Sequence, residues 1–185
     1  SPLHEAARAG NLPMVQVLVV NGANVNAVDK YGKTPLHVCA ATGNRSTARL
    51  LLLNGAWPRA EDKQGNSAMA YAVRHFQNGI VEELLPRGLD LEQFDNQGLS
   101  PLHRAAELGN MEAVCALLQH GASKSRLTLD KRESPAQVAL KHGHADCAEI
   151  LAADTVLQQA VIGRDLNRLK SMVRSKSDTD VRDGI

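Results

Sequence analysis

The sequence predicts an all-α solenoid, a row of stacked helix-turn-helix units with a hairpin finger projecting between one unit and the next. Three observations carry this expectation. A four-residue phrase recurs as Ser1-Pro2-Leu3-His4, Thr34-Pro35-Leu36-His37 and Ser100-Pro101-Leu102-His103, with a degenerate copy at Ser67-Ala68-Met69-Ala70, so its copies start 33 residues apart. Self-similarity at a fixed period of this length marks a repeat architecture. Behind each copy run two short apolar stripes at helical spacing. Finally, aromatic residues make up only 3% of a chain that is 43% hydrophobic, which suits a thin core of small interchangeable layers better than one large interior.

In the first unit (1–33), Leu3, Ala6 and Ala7 mark one helix and Val15, Leu18 and Val19 a second. Gly10 permits the left-handed residue that ends the first helix, Asn11 caps the second, and Pro13 is tolerated in its first turn. Gly22 closes the second helix, and in the polar stretch that follows Asp29 and Gly32 bracket a finger tip. The second unit (34–66) keeps the register at Cys39, Ala40, Gly43, Asn44, Leu51, Leu52 and Gly55, and its finger carries Trp57. In the third (67–99), Met69 stands for leucine, Ala70 for histidine and Phe76 for the turn glycine. Pro86 falls inside its second helix, which should therefore stop about one turn early. The fourth unit (100–133) returns to pattern with Ala105, Ala106, Gly109, Asn110, Leu117, Leu118 and Gly121 and has a finger one residue longer. A fifth (134–154) begins at Ser134-Pro135 and lacks a finger. A partial sixth (155–185) is expected from Leu157, Ala160, Val161, Leu166, Leu169, Met172 and Val173, with Asp165 as a cap.

The Thr-Pro-Leu-His phrase, followed by glycine at +9, leucine at +17 and glycine at +21, resembles the ankyrin repeat family, and the likeness covers nearly all 185 residues. It implies a single domain of five to six repeats over 1–185. The first unit begins at its turn and Asp178 to Ile185 look like the start of another finger, so the stretch reads as an excised part of a larger protein. The resemblance also implies that the hydroxyl and histidine of Ser1/His4, Thr34/His37 and Ser100/His103 bond each other and fix the turn before the first helix. In function it implies a non-catalytic module that binds another protein or peptide on a concave strip of fingertips and exposed ends of first helices. That strip maps to Tyr31, Lys33, Thr42, Gln64, Asn66, Arg74, His75, Phe94, Leu99, Glu107, Leu108 and Leu127. Phe94, Leu99, Leu108 and Leu127 are expected to cluster as an apolar patch rimmed by Arg74, His75 and Glu107, unless the fingers pack over them. A second reading is a regulatory module that docks on an enzyme, channel or lipid-handling domain of its own chain.

Other chemistries find little support. A formal charge of +1 offers no electrostatic footprint for nucleic acid. No run reaches the roughly 18 apolar residues of a membrane span. Cys39, Cys115 and Cys147 are an odd set at apolar repeat positions, read as buried thiols in a reducing compartment, hence an intracellular protein of the cytoplasm or nucleus. His142, His144 and Cys147 are close in sequence, but His144 takes the helix-start position of asparagine and Cys147 a core position, so no metal is expected. No cofactor is expected, since the glycines lie one per turn rather than in a phosphate loop. The basic stretch Arg164, Arg168, Lys170, Arg174 and Lys176 suits a solvated face as well as an anionic contact. The chain is expected to be monomeric.

Overall fold

A computed structural model describes residues 1–153; the expected sixth unit and its basic stretch lie outside the described residues. Five antiparallel helix pairs follow one another: α1 (Pro2–Ala9) with α2 (Leu12–Val20), α3 (Pro35–Thr42) with α4 (Arg45–Leu53), α5 (Ala68–Arg74) with α6 (Asn78–Leu84), α7 (Pro101–Leu108) with α8 (Met111–Gln119), and α9 (Pro135–Lys141) with α10 (Ala145–Ala152). First helices begin at the Ser/Thr of the repeated phrase, whose proline occupies the first helical position, where no intrahelical amide bond is lost.

Two expectations are corrected. Pro86 shortens the third unit's second helix by two residues relative to α4, not by a full turn, because a 3-10 turn at Leu85–Arg87 continues the path. The fingers are tight turns rather than laddered hairpins. Each is closed by one pair across its base, from the amide of Asp29 to the carbonyl of Lys33, Asp62 to Asn66 and Asp95 to Leu99, and the bridge Glu61–Ser67 is the isolated strand-like pairing among the described residues.

The first helices approach one another closely because Ala6, Cys39, Ala72, Ala105 and Ala139 at their contacts are small and buried. They pack against each other more tightly than the second helices do, so the row bends toward the side of the first helices and fingers. Leu51, Leu84 and Leu117 are fully enclosed between neighbours. Leu18, the corresponding residue of the first unit, is half-buried because its unit has a neighbour on one side only among the described residues.

The repeated phrase is a clasp within and between units. Thr34 Oγ1 lies 2.8 Å from His37 Nδ1, which also accepts the Thr34 amide at 3.1 Å. The ring proton therefore sits on Nε2, which donates across to the Asn66 carbonyl at 3.1 Å. His4 reaches Lys33 O and His103 reaches Glu133 O in the same way, at 2.8 and 3.1 Å. Each histidine thus ties its helix to the residue just before the next unit. In the third unit Ala70 makes no such tie, and the Ser67 hydroxyl accepts only from the Ala70 amide at 3.3 Å.

Asparagines and glycines complete the stacking. Asn44 Nδ2 donates to the Ala7 and Arg8 carbonyls at the end of α1, at 2.8 and 3.1 Å, satisfying groups that a helix C-terminus leaves unpaired. At Gly43, φ is 83°, the left-handed region that favours glycine, and the Gln77 side-chain amide lies where a Cβ would stand. Phe76 holds this position in the third unit at φ 56° with its ring 52% exposed.

Candidate functional site

The concave side is assembled by a carboxylate that the period itself repeats. Asp29, Asp62 and Asp95 each use Oδ1 to accept the amides two and four residues on, at 2.8–3.1 Å, which freezes the finger tip. In Asp62 and Asp95 the second oxygen meets the residue nine positions on, and the residue at that spacing differs in each unit. In the second unit it is Val38. In the third, Tyr71 Oη donates to Asp62 Oδ2 at 2.7 Å. In the fourth, Arg104 reaches Asp95 Oδ2 through Nε at 3.2 Å and Nη2 at 2.5 Å, while also donating to Glu107 and Gln97. Burial would raise the Asp62 carboxyl, but the Asn66 amide, the Tyr71 hydroxyl and the Gln64 amide outweigh it and hold it below the usual range. Burial in turn raises the Tyr71 hydroxyl, so it stays protonated and donates.

Most of the expected strip residues lie on this side, but in different circumstances. Tyr31, 57% exposed, and Gln64 stand at the tips of the first two fingers. His75 is exposed and stacks on Tyr71, with ring centroids 6.3 Å apart and planes within 3°. Lys33 places its ammonium 4.7 Å from the Tyr71 ring centroid. Thr42 is exposed, and its hydroxyl donates back to the Val38 carbonyl. Arg74 is half-buried. Asn66 does not belong on the surface. It is 1% exposed, its carbonyl holding His37 and its side chain turned to Asp62.

The apolar patch is likewise different from expectation. Phe94, Leu99, Leu108 and Leu127 are all half-buried. Phe94 and Leu99 line a narrow crevice with Met69, Pro101 and Arg104. Phe94 and Leu127 line a second, open cleft of about 450 Å³ in which the Arg126 guanidinium covers the Phe94 ring at 4.7 Å. Leu108, at the end of α7, borders neither. Glu107 is engaged by Arg104 rather than free on a rim. Tyr71 and Arg104 escaped the sequence reading. The signal for them is the aspartate recurring at the same period as the phrase, with a tyrosine or arginine nine residues beyond it.

Chemically, the arrangement offers surfaces rather than reactive groups. Burial pushes the Cys39 thiol up to about 12 and the Cys147 thiol to about 11, so neither is a thiolate near neutrality. The ring nitrogens of His4, His37 and His103 are all engaged in the clasps, leaving no lone pair for a metal. His142 turns toward Glu107, His144 packs over Gly109 and Cys147 is buried, and no group of three or more His, Cys, Asp or Glu suited to a metal occurs among the described residues. No helix among them is long and apolar enough to cross a membrane.

Fold and surface together define a helical repeat solenoid whose concave side presents side chains that stacking does not consume. The family model for ankyrin repeats matches in three copies, over residues 1–62, 50–128 and 77–168, and the chain belongs to the ankyrin repeat family, a non-catalytic fold whose members generally bind other proteins. Among its relatives is the B-cell lymphoma 3 protein homolog of Mus musculus, 29% identical over 98% of this chain and 37% of the relative. Ankyrin repeat domain-containing protein 13B of Mus musculus is 32% identical over 56% of this chain and 13% of its own length. The RelA-associated inhibitor of Mus musculus is 35% identical over 40% of this chain and 9% of its own. The chain thus spans well under half of each of these relatives.

Proposed function

We propose that residues 1–185 act as one non-catalytic module that captures a protein or peptide on the concave strip and serves as a scaffold or targeting region of a larger intracellular protein. The observation that carries this is that Tyr31, Gln64, Thr42 and His75 hold exposed positions along one side, although their neighbours are fixed by clasps and carboxylate turns. Rigid backbone with free side chains is what a binding surface requires, because little ordering entropy is lost on association. The name of one relative, an inhibitor associated with RelA, describes a protein that engages another protein, in keeping with this reading. The expected result is that Phe94→Arg or Leu108→Arg, each combined in turn with Tyr31→Ala, abolishes partner capture while the helical circular dichroism is retained. Unchanged capture would reject the site.

The relatives' greater length favours a second reading, in which the module restrains a domain of its own chain. Comparing the activity of the parent protein with and without residues 1–185 separates the two.

A further inference from the structure

Several basic side chains are paired within the chain: Arg8 by Glu5, Arg45 by Glu82 and Glu83, Arg104 by Asp95 and Glu107, Arg126 by Glu92, and Lys141 by Glu133. Lys30, Lys33 and Lys63, on the first two fingers, form no ion pair among the described residues. Two of them lean instead on aromatic rings, Lys30 4.9 Å from the Tyr31 centroid and Lys33 4.7 Å from that of Tyr71. The neighbouring acids offset them only in part. Asp62 is buried and spends both oxygens on amides and on Tyr71, and Asp29 is turned to the amides of Tyr31 and Lys33.

Tyr31 and Lys33 stand between two adjoining hollows, one of about 290 Å³ reaching Lys63 and Gln64 and one of about 160 Å³ reaching Thr42 and Ala41. Together they form a trough that crosses the first two units. Its walls are the Tyr31 ring and aliphatic lysine stems; Lys33, Lys63 and Arg8 bring positive charge to it, and Asp29 and Asp62, tied to finger amides, also line it. Such a lining favours a chain of carboxylates with an apolar side chain between them: the acids meet the lysines, and the apolar group lies against Tyr31.

We propose, resting on the concave-surface reading above, that this trough binds an acidic extended segment of the partner protein, and that specificity for it resides in Lys33, Lys63 and Tyr31. The test is selection from a random displayed-peptide library against the immobilised chain, followed by anisotropy titration of the enriched peptides. The expected result is enrichment of peptides with net negative charge and at least one aromatic or leucine residue. Their affinity should fall by about tenfold or more for Lys33→Glu with Lys63→Glu, with Lys→Gln intermediate and helical circular dichroism unchanged. It should also decline as salt rises.

Enrichment of neutral or basic peptides, no enrichment, or acidic peptides indifferent to the lysine reversals would overturn the proposal. So would a single-stranded oligonucleotide that competes as strongly as the peptide, which would make the trough a general polyanion site. Neutral peptides displaced by Leu108→Arg would leave the concave-surface reading standing while removing the acidic partner. Peptides indifferent to both sets of changes would remove both.

Discussion

Arg104→Ala should destabilise the array by about 3 kcal/mol. The side chains of Arg104 and Asp95 are 8% and 5% exposed, and truncation removes both guanidinium contacts to Asp95 Oδ2 together with those to Glu107 and Gln97. Stranding one partner of a buried ion pair costs about 3–5 kcal/mol. Asp95 keeps the amides of Gln97 and Leu99 on its other oxygen, which places the cost at the lower end. The neighbouring unit supplies its own control. Tyr71 satisfies Asp62 at 2.7 Å from the corresponding position, so Arg104→Tyr should recover most of the loss and cost about 1 kcal/mol, the difference between a charged and a neutral donor. Urea unfolding followed by circular dichroism reads both variants, with comparison restricted to those that keep the wild-type slope. A cost below about 1 kcal/mol for Arg104→Ala, or equal costs for alanine and tyrosine, would refute the view that the finger carboxylate is locked by the residue after the clasp.

Other outcomes follow from the same packing. Phe76→Gly should stabilise by about 0.5–1 kcal/mol, since it relieves a left-handed backbone at φ 56° on an exposed side chain; a lower unfolding midpoint would argue that the ring is needed for packing. Leu117→Ala, at a fully enclosed position, should cost about 2–5 kcal/mol by thermal or urea unfolding, and a loss under about 1 kcal/mol would contradict the stacked-layer account. Burial lowers His37 and His103 below the ordinary imidazole value of 6.5. Between the depressed folded value and 6.5 the unfolded chain binds more protons, so the stability is present above 6.5 and is lost as pH falls through the folded value. The urea midpoint should therefore decline from about pH 7.5 to about pH 5.5 and decline less in His103→Gln; a midpoint that rises on acidification would contradict the neutral clasp.

What was legible in the sequence was whatever the period repeats. Helix starts at Pro35 and Pro101, the clasp histidines, the turn glycines and the enclosed leucines all depend on local conformation or on stacking that every unit shares. The misplaced residues depend on relations that vary between units. Asn66 has the polarity of a surface residue, but the Asp62 turn folds it inward, an effect set by the neighbour four residues back. Phe94 is half-buried because Arg126, on the next finger, lies over its ring, a contact between fingers that the period does not encode. Arg104 has no counterpart in the repeated phrase, and its pairing with Asp95 across the finger base emerges only when the recurring aspartate is followed as well. Pro86 reads as a helix breaker, but the chain absorbs it in a 3-10 turn that ends on left-handed Gly88.

The most direct test of a concave binding surface is site-specific photo-crosslinking. A photoreactive residue is placed in turn at Tyr31, at His75 and at Arg49, an exposed position on α4, and each protein is irradiated with the bound partner or selected peptide. Crosslinks from Tyr31 and His75 with none from Arg49 are the predicted result; crosslinks from Arg49 in preference to the other two would contradict the account.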